Sequence, residues 1–187
     1  MAQLSMWLKM SNYFQGEMVT LSEMLAAREQ RATLQQALLA KCSQASLLSA
    51  TLNIPGPVKN TPALEKTFIA LVETVRKELK DFFIIETNYF SRKTGLEFFL
   101  LAEISPELLK RKMVEIEEKN SRGRLVDLDV LWLKDDKIQS ISRQDLGFPA
   151  RRCLICNQDA KVCGRARTHT IEEMQAKIIT IIEQGKE

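Results

Sequence analysis

The chain has 187 residues, of which 45% are hydrophobic, a length and composition that suit one domain with a buried core and exclude an intrinsically disordered chain. With 27 Lys or Arg against 24 Asp or Glu, the formal net charge is +3, which is too small to predict binding to duplex DNA. No apolar run is long enough to cross a bilayer, so we expect no membrane contact.

The N-terminal residues 1–19 are predicted to be an extension, followed by a single domain over residues 20–187. The stretch Tyr13-Phe14-Gln15-Gly16 resembles the scar of a tag cleavage site, so the extension is given no functional weight. The domain starts with a helix from Thr20 to about Lys41, because Thr20 and Glu23 have the spacing of a capping box.

The later elements follow from hydrophobic periodicity, from Pro residues at helix starts and from polar turns. A strand is predicted over 48–52, half-buried through Leu48, Ala50 and Leu52, and the turn Ile54-Pro55-Gly56-Pro57 ends it. The next elements are a helix from 61, strands over 82–90 and 96–102, a helix over 105–120, strands over 124–133 and 137–141, and, after a cysteine-rich loop, a helix from Thr170.

This order predicts an α+β fold with a ferredoxin-like split β-α-β core (βαββαβ), an N-terminal helix, and a C-terminal cysteine-containing loop plus helix. Its helices should cover one face of the sheet. The last strand of the core should lie antiparallel to the first. The turn that contains Gly56 and Lys59 should then lie near Gly123 and Arg124.

Two aspartates interrupt the apolar strand Val126-Asp127-Leu128-Asp129-Val130. Because side chains alternate along a strand, Asp127 and Asp129 should point to one face. Two carboxylates so placed are suited to Mg²⁺, which binds one or two carboxylates together with phosphate oxygens. Gly123 should let a ligand approach the backbone. The alternative is a solvent-facing strand whose aspartates pair with nearby arginines.

A second cluster has the spacing C-x2-C-x6-C-x5-H, formed by Cys153, Cys156, Cys163 and His169. Three thiolates and an imidazole can complete a tetrahedral zinc site. The preferred alternative is that the thiols fill space while Leu154, Ile155 and Val162 dock the loop onto the domain. An odd cluster of cysteines and the lack of a signal peptide argue against disulfides and predict a cytoplasmic protein.

Three segments together resemble the apo-citrate lyase phosphoribosyl-dephospho-CoA transferases, also called holo-citrate lyase acyl-carrier-protein synthases. They are residues 51–59 (TLNIPGPVK), residues 123–130 (GRLVDLDV), and residues 142–156 (SRQDLGFPARRCLIC) with the downstream Cys163, Arg165 and His169. The resemblance covers nearly the whole chain after Thr20. Gln144, where the family often has Arg, and Val126, where it often has a bulkier residue, depart from the pattern.

The resemblance implies a nucleotidyltransferase whose donor is 2'-(5-triphosphoribosyl)-3'-dephospho-CoA. A serine of the acyl-carrier subunit of citrate lyase attacks the α-phosphorus, and pyrophosphate leaves. Asp127 and Asp129 would hold Mg²⁺ and serve catalysis, with one of them helping to deprotonate the serine. Residues expected to bind the donor are Gly56, Lys59, Arg124, Arg151 and Arg152.

Three alternatives stay open: the same chemistry on a malonate decarboxylase carrier, a zinc-stabilised nucleic-acid-binding module, and a silent partner of the lyase. Phe148 is the only aromatic residue near the arginines, so stacking on bases is disfavoured and no nucleic acid is expected. The third metal ligand is not determined by the sequence. Its candidates are Glu86, Glu97, Glu103 and Asp145.

Overall fold

The computed structural model describes residues 13–185, so residues 1–12 of the predicted extension lie outside the described range. The helices are α1 (Leu21–Leu39), α2 (Pro62–Glu78), α3 (Pro106–Lys119), α4 (Ala160–Ala166) and α5 (Ile171–Gln184). The strands are β1 (Ser46–Leu52), β2 (Ile84–Arg92), β3 (Gly95–Ala102), β4 (Val126–Lys134) and β5 (Lys137–Ile141). Over residues 13–185, no helix is both long and apolar enough to cross a membrane.

The five strands form one antiparallel sheet in the order β2-β3-β1-β4-β5. The first four have the ferredoxin-like arrangement, with β4 antiparallel to β1, and β5 extends the sheet by a hairpin. The predicted α+β class and βαββαβ core are confirmed. The N–H of Asn53 donates to the carbonyl of Leu125 at 2.8 Å, which joins the end of β1 to the start of β4 as expected.

The main core lies between one face of the sheet and the helices α2, α3 and α5. Thr61 and Ser105 cap α2 and α3 through their side chains, and each helix begins with proline, whose missing N–H costs nothing there. Each helix has an apolar face, and Phe68, Met113 and Ile178 from the three helices are fully buried. This core therefore fixes the register of β4, whose Leu128 and Val130 point into it.

The second face of the sheet is covered by the C-terminal half of α1. Leu38 and Leu39 pack there against Leu47 of β1 and Phe99 of β3. The expectation of helices on one face is therefore correct for α2, α3 and α5 but not for α1. For the same reason β1 is buried on both faces along most of its length, rather than half-buried.

Two sequence interpretations change with the structure. A Cβ on Gly123 would collide with the carbonyl oxygen of Ile116, so the contact with α3 by itself accounts for this glycine. Tyr13 and Phe14, inside the tag-like stretch, are buried in the main core. The described part of the extension therefore contributes to the fold.

Candidate active site

The outer edge of β4 is open along the first half of the strand. β5 pairs with β4 only from Val130 to Lys134. Along the unpaired half, Val126 and Leu128 point into the main core, while Asp127 and Asp129 lie on the opposite face, as the alternation predicted. Their neighbours on β1 are Thr51 and Ser49. The edge beside the aspartates is thus available to side chains from other segments.

Charged side chains from α3 and from the segment after β5 fill this edge. With the two aspartates they form what we call the edge cluster, which consists of Lys110, Glu117, Asp127, Asp129, Arg143 and Arg151. The cluster has three positive and three negative groups, so it can keep its charges paired without water at its buried end.

Arg151 links the buried end of the cluster to the first aspartate. It donates from Nε and from one terminal nitrogen to the carboxylate of Glu117, and its other terminal nitrogen lies 2.9 Å from Oδ1 of Asp127. Glu117 is only 1% exposed, and Arg143 lies 3.5 Å from its second oxygen. Arg151 is therefore held in place by an acid that solvent cannot reach.

Lys110 and Glu117 were missed by the sequence interpretation, although a signal exists. Both occupy the inward stripe of α3 with Met113 and Val114, at the spacing i, i+3, i+4 and i+7. Charged residues at such positions are rarely buried without partners. Lys110 donates to the carbonyl of Leu128 at 2.7 Å, on the open edge of β4. Burial lowers the pKa of this lysine.

The environment of Asp129 disfavours its ionised form. Its side chain reaches solvent, yet the protein packed around it removes enough water to raise its pKa, and the neighbouring Asp127 carboxylate adds to this effect. Lys110 opposes the shift without cancelling it. The Asp129 carboxylate therefore binds a proton more readily than an ordinary aspartate, because its pKa is raised.

A stability measurement tests this environment. Since the folded-state pKa of Asp129 is raised, its ionisation opposes folding above that pKa and has no effect below its unfolded-state pKa. We expect Asp129→Asn to have a melting temperature at pH 7 above that of the parent, with the difference shrinking as the pH falls. An Asn variant that is less stable than the parent at pH 7 would contradict this description.

An open pocket of about 780 Å³ lies beside the edge cluster. Three of the predicted donor-binding residues line it, namely Arg124, Arg151 and Arg152. Its other walls include Pro55 after β1 and Met174 of α5. The volume is in the range of small-molecule sites. Because Arg151 both lines the pocket and contacts Asp127, the pocket and the paired aspartates form one continuous region.

The other two predicted donor-binding residues do not line this pocket. Lys59 donates to the carbonyl of Ile54 at 2.6 Å, and burial lowers its pKa. Gly56 has a φ of +89°, and a Cβ there would lie 3.1 Å from Cγ2 of Ile171 in α5. Backbone conformation and packing thus explain why residue 56 is glycine. Phosphate binding by Gly56 or Lys59 stays a prediction.

The cysteine–histidine cluster is assembled by three local elements. A bridge between Arg152 and Asp159 closes a tight loop that presents Cys153 and Cys156. Cys163 follows on α4, and His169 precedes α5. The four ligand atoms lie within 4.8 Å of one another. Burial raises the pKa of the Cys153 thiol, but backbone hydrogen bonds from Cys156 and Ile155 outweigh it and lower the pKa to about 6.

Within the described chain, the cysteine–histidine cluster is the only group of three or more His, Cys, Asp or Glu side chains that could hold a metal ion, so no third carboxylate joins the two aspartates. The four candidates have other partners or positions. Glu86 pairs with Lys41, Glu97 with Arg31 and Arg92, Asp145 caps the turn at Ser142, and Glu103 follows the far end of β3.

Comparison with known proteins decides the family. The model of the apo-citrate lyase phosphoribosyl-dephospho-CoA transferase family matches residues 19–185. This chain belongs to that family. A relative in Streptococcus pyogenes serotype M18, named as a probable enzyme of the same kind, is 44% identical over 170 residues, which cover 91% of this chain and 88% of the relative.

Two further relatives are also similar to this chain. A probable apo-citrate lyase phosphoribosyl-dephospho-CoA transferase of Vibrio cholerae serotype O1 is 35% identical over 163 residues, covering 86% of this chain and 89% of the relative. Protein CitXG of Leuconostoc mesenteroides is 36% identical over 169 residues, covering 89% of this chain and 36% of that longer protein. The resemblance inferred from the three sequence segments is confirmed. The comparisons give no support to the malonate decarboxylase or nucleic-acid alternatives.

Proposed function

We propose that this transferase moves the 2'-(5-phosphoribosyl)-3'-dephospho-CoA group from its 5-triphosphate donor to a serine of the acyl-carrier subunit of citrate lyase. Pyrophosphate is the second product. The strongest support is the position of Arg151, which both lines the 780 Å³ pocket and contacts Asp127. A triphosphate lying along the pocket would reach the carboxylates with its reacting phosphorus.

The pocket has the chemistry that the donor requires. Guanidinium groups bind phosphate oxygens through paired hydrogen bonds, and Arg124 and Arg152 offer such groups beside Arg151. Apolar side chains such as Leu154 and Met174 line the same pocket and suit the organic part of the donor. The arginines thus match the negative charge of the triphosphate, and the apolar side chains match the adenosine or pantetheine portion of the donor.

The two aspartates suit a magnesium ion. Asp127 and Asp129 provide hard oxygen ligands on one strand face, and Mg²⁺ commonly uses one or two carboxylates with substrate phosphates. One oxygen of Asp127 is engaged by Arg151, which leaves its second oxygen and the carboxylate of Asp129 for the ion. When bound, Mg²⁺ would neutralise charge on the triphosphate.

The proton of the acceptor serine is assigned to Asp129. The serine oxygen forms a bond to the α-phosphorus, the bond from that phosphorus to the pyrophosphate oxygen breaks, and the serine proton passes to a carboxylate. Asp129 suits this role because its side chain reaches solvent, where a carrier protein can approach. Asp127, held by Arg151, would serve as a ligand of the metal ion.

Pyrophosphate release tests the reaction and the choice of carrier. We expect release only when the donor and the apo-carrier subunit of citrate lyase are both present with Mg²⁺. The apo-carrier of malonate decarboxylase serves as the comparison acceptor. Equal release with both carriers would contradict the proposed specificity, and release without any carrier would indicate simple hydrolysis of the donor.

Arg152 provides a test of donor recognition. Its side chain is exposed at the pocket and donates to the carbonyl of Asn157, so its removal leaves no buried charge. Arg152→Ala is expected to raise the KM for the donor about tenfold or more, since a charge-assisted hydrogen bond contributes roughly 1.5–3 kcal/mol. The KM for the carrier should change much less. A change confined to the carrier's KM would place Arg152 at the protein–protein interface instead.

The cytoplasm is the proposed location of this reaction. The four cysteines are unpaired in the structure, which is the usual state in a reducing compartment. A transferase that acts on the carrier of a metabolic lyase also needs access to the dephospho-CoA donor. Fractionation of cells that express the chain should recover it with the lyase subunits.

A further inference from the structure

We propose a structural zinc site whose four ligands are Cys153, Cys156, Cys163 and His169. Their ligand atoms already surround one point, all within 4.8 Å of one another. Sγ of Cys163 lies 3.4 Å from Sγ of Cys153, and Nε2 of His169 lies 3.3 Å from Sγ of Cys156. Zinc–sulfur bonds of about 2.3 Å in a tetrahedron place two sulfurs about 3.8 Å apart. A zinc ion therefore requires the distances between ligand atoms to change by about 1 Å or less.

The surroundings of the ligands also suit zinc. The N–H of Ile155 points at the sulfur of Cys153 at 3.4 Å, an arrangement that stabilises a ligating thiolate. His169 has Nε2 towards the cysteines and Nδ1 towards the carboxylate of Glu173, 3.9 Å away. Carboxylates near the second ring nitrogen commonly orient metal-binding histidines. Three sulfurs and one imidazole favour zinc over Mg²⁺, which prefers oxygen ligands.

Apolar packing does not explain how this segment is held. Of the three residues expected to dock the loop, Ile155 is 40% exposed and Val162 is 60% exposed, and only Leu154 packs against the main core. Cys153 and Cys156 are half-buried rather than embedded in the core. The segment thus lacks the buried surface that would order it alone, whereas a metal contributes folding free energy directly.

The position of the site indicates what the zinc does. Cys153, Cys163 and His169 all line the 780 Å³ pocket, and Cys153 directly follows Arg151 and Arg152. The ion would join the loop over 152–159, α4 and the start of α5 into one wall of that pocket. This role in holding the pocket rests on the proposed function, whereas the presence of the zinc site does not.

Elemental analysis of the purified full chain tests the site directly. We expect one zinc per chain that survives dialysis, and a lower melting temperature after removal by a strong chelator. Cys156→Ser should lose the zinc, and Cys42→Ser should keep it, because Cys42 packs against the second core, away from the cluster. Equal zinc content in the two variants would overturn the proposal.

Cobalt substitution keeps the test decisive if the cysteine variants fail to fold. The metal-free parent should bind one Co²⁺ and show the intense visible bands of a tetrahedral cobalt–thiolate site. Added Zn²⁺ should remove these bands. A folded, reduced parent that carries no zinc and gives no thiolate–cobalt bands would overturn the proposal. Because neither readout uses the donor or the carrier, failure of the transfer reaction would leave this result unaffected.

Discussion

Asp127→Asn and Asp129→Asn are each expected to lower the rate of transfer by about a hundredfold or more, the usual loss when transition-state charge stabilisation is removed. The asparagine amide keeps the size of the side chain and an acceptor for Arg151, so the fold should be retained. The loss follows from weaker metal binding at both positions and from the missing proton acceptor at Asp129. Initial rates at saturating donor and carrier measure the effect.

The matched control is Asp135→Asn, in the turn between β4 and β5. Asp135 has a φ of +51°, a conformation that asparagine accepts readily, and it is exposed. The substitution therefore makes the same chemical change on the same hairpin without touching the edge cluster. We expect full activity from this variant. Near-normal turnover of both Asp127→Asn and Asp129→Asn would remove the paired aspartates from the mechanism.

Arg151→Ala is expected to be the most destabilising of the arginine substitutions. It removes the two hydrogen bonds that Arg151 donates to Glu117 and leaves that buried carboxylate with Arg143 alone. Removing one partner of a buried ion pair typically costs about 3–5 kcal/mol. Denaturant unfolding of Arg151→Ala should show a loss of this size. Because Arg151→Ala is destabilised, its KM for the donor would not report the loss of donor contacts alone.

Two other variants distinguish the stability effect of a buried ion pair from that of a surface charge. Arg152→Ala removes an exposed guanidinium next in sequence, so we expect its stability to stay within about 1 kcal/mol of the parent. Replacing both Arg151 and Glu117 with methionine removes both buried charges and should recover much of the stability lost in Arg151→Ala. A stable Arg151→Ala single variant would show that Glu117 does not depend on this partner.

The topology was predictable because its signals are local. Thr61-Pro62 and Ser105-Pro106 mark the starts of α2 and α3, and the alternation in β4 places its two aspartates on one face. The coverage of the second sheet face was not predictable. Leu21 and Leu25 of α1 are 76% and 49% exposed, while Leu38 and Leu39 are buried, so no single apolar stripe indicates where that helix packs.

The edge cluster depends on contacts between distant parts of the chain. Arg151 and Glu117 are 34 residues apart, and nothing in the sequence of either segment specifies their pairing. From the sequence, Arg151 was predicted only to bind the donor, because it lies among other basic residues. Its buried partner Glu117 could not be inferred from the sequence. The cysteine–histidine spacing was visible, but only the structure shows that α4 and the loop over 152–159 bring all four ligand atoms together.

The intact mass of the carrier tests the central claim most directly. The chain is incubated with the apo-carrier subunit of citrate lyase, the triphosphoribosyl-dephospho-CoA donor and Mg²⁺. The intact mass of the carrier is then measured by mass spectrometry. We predict a gain equal to the donor minus pyrophosphate, located on one serine and absent when that serine is replaced with alanine. An unchanged carrier mass, with folded protein and intact donor, would contradict the proposed transfer.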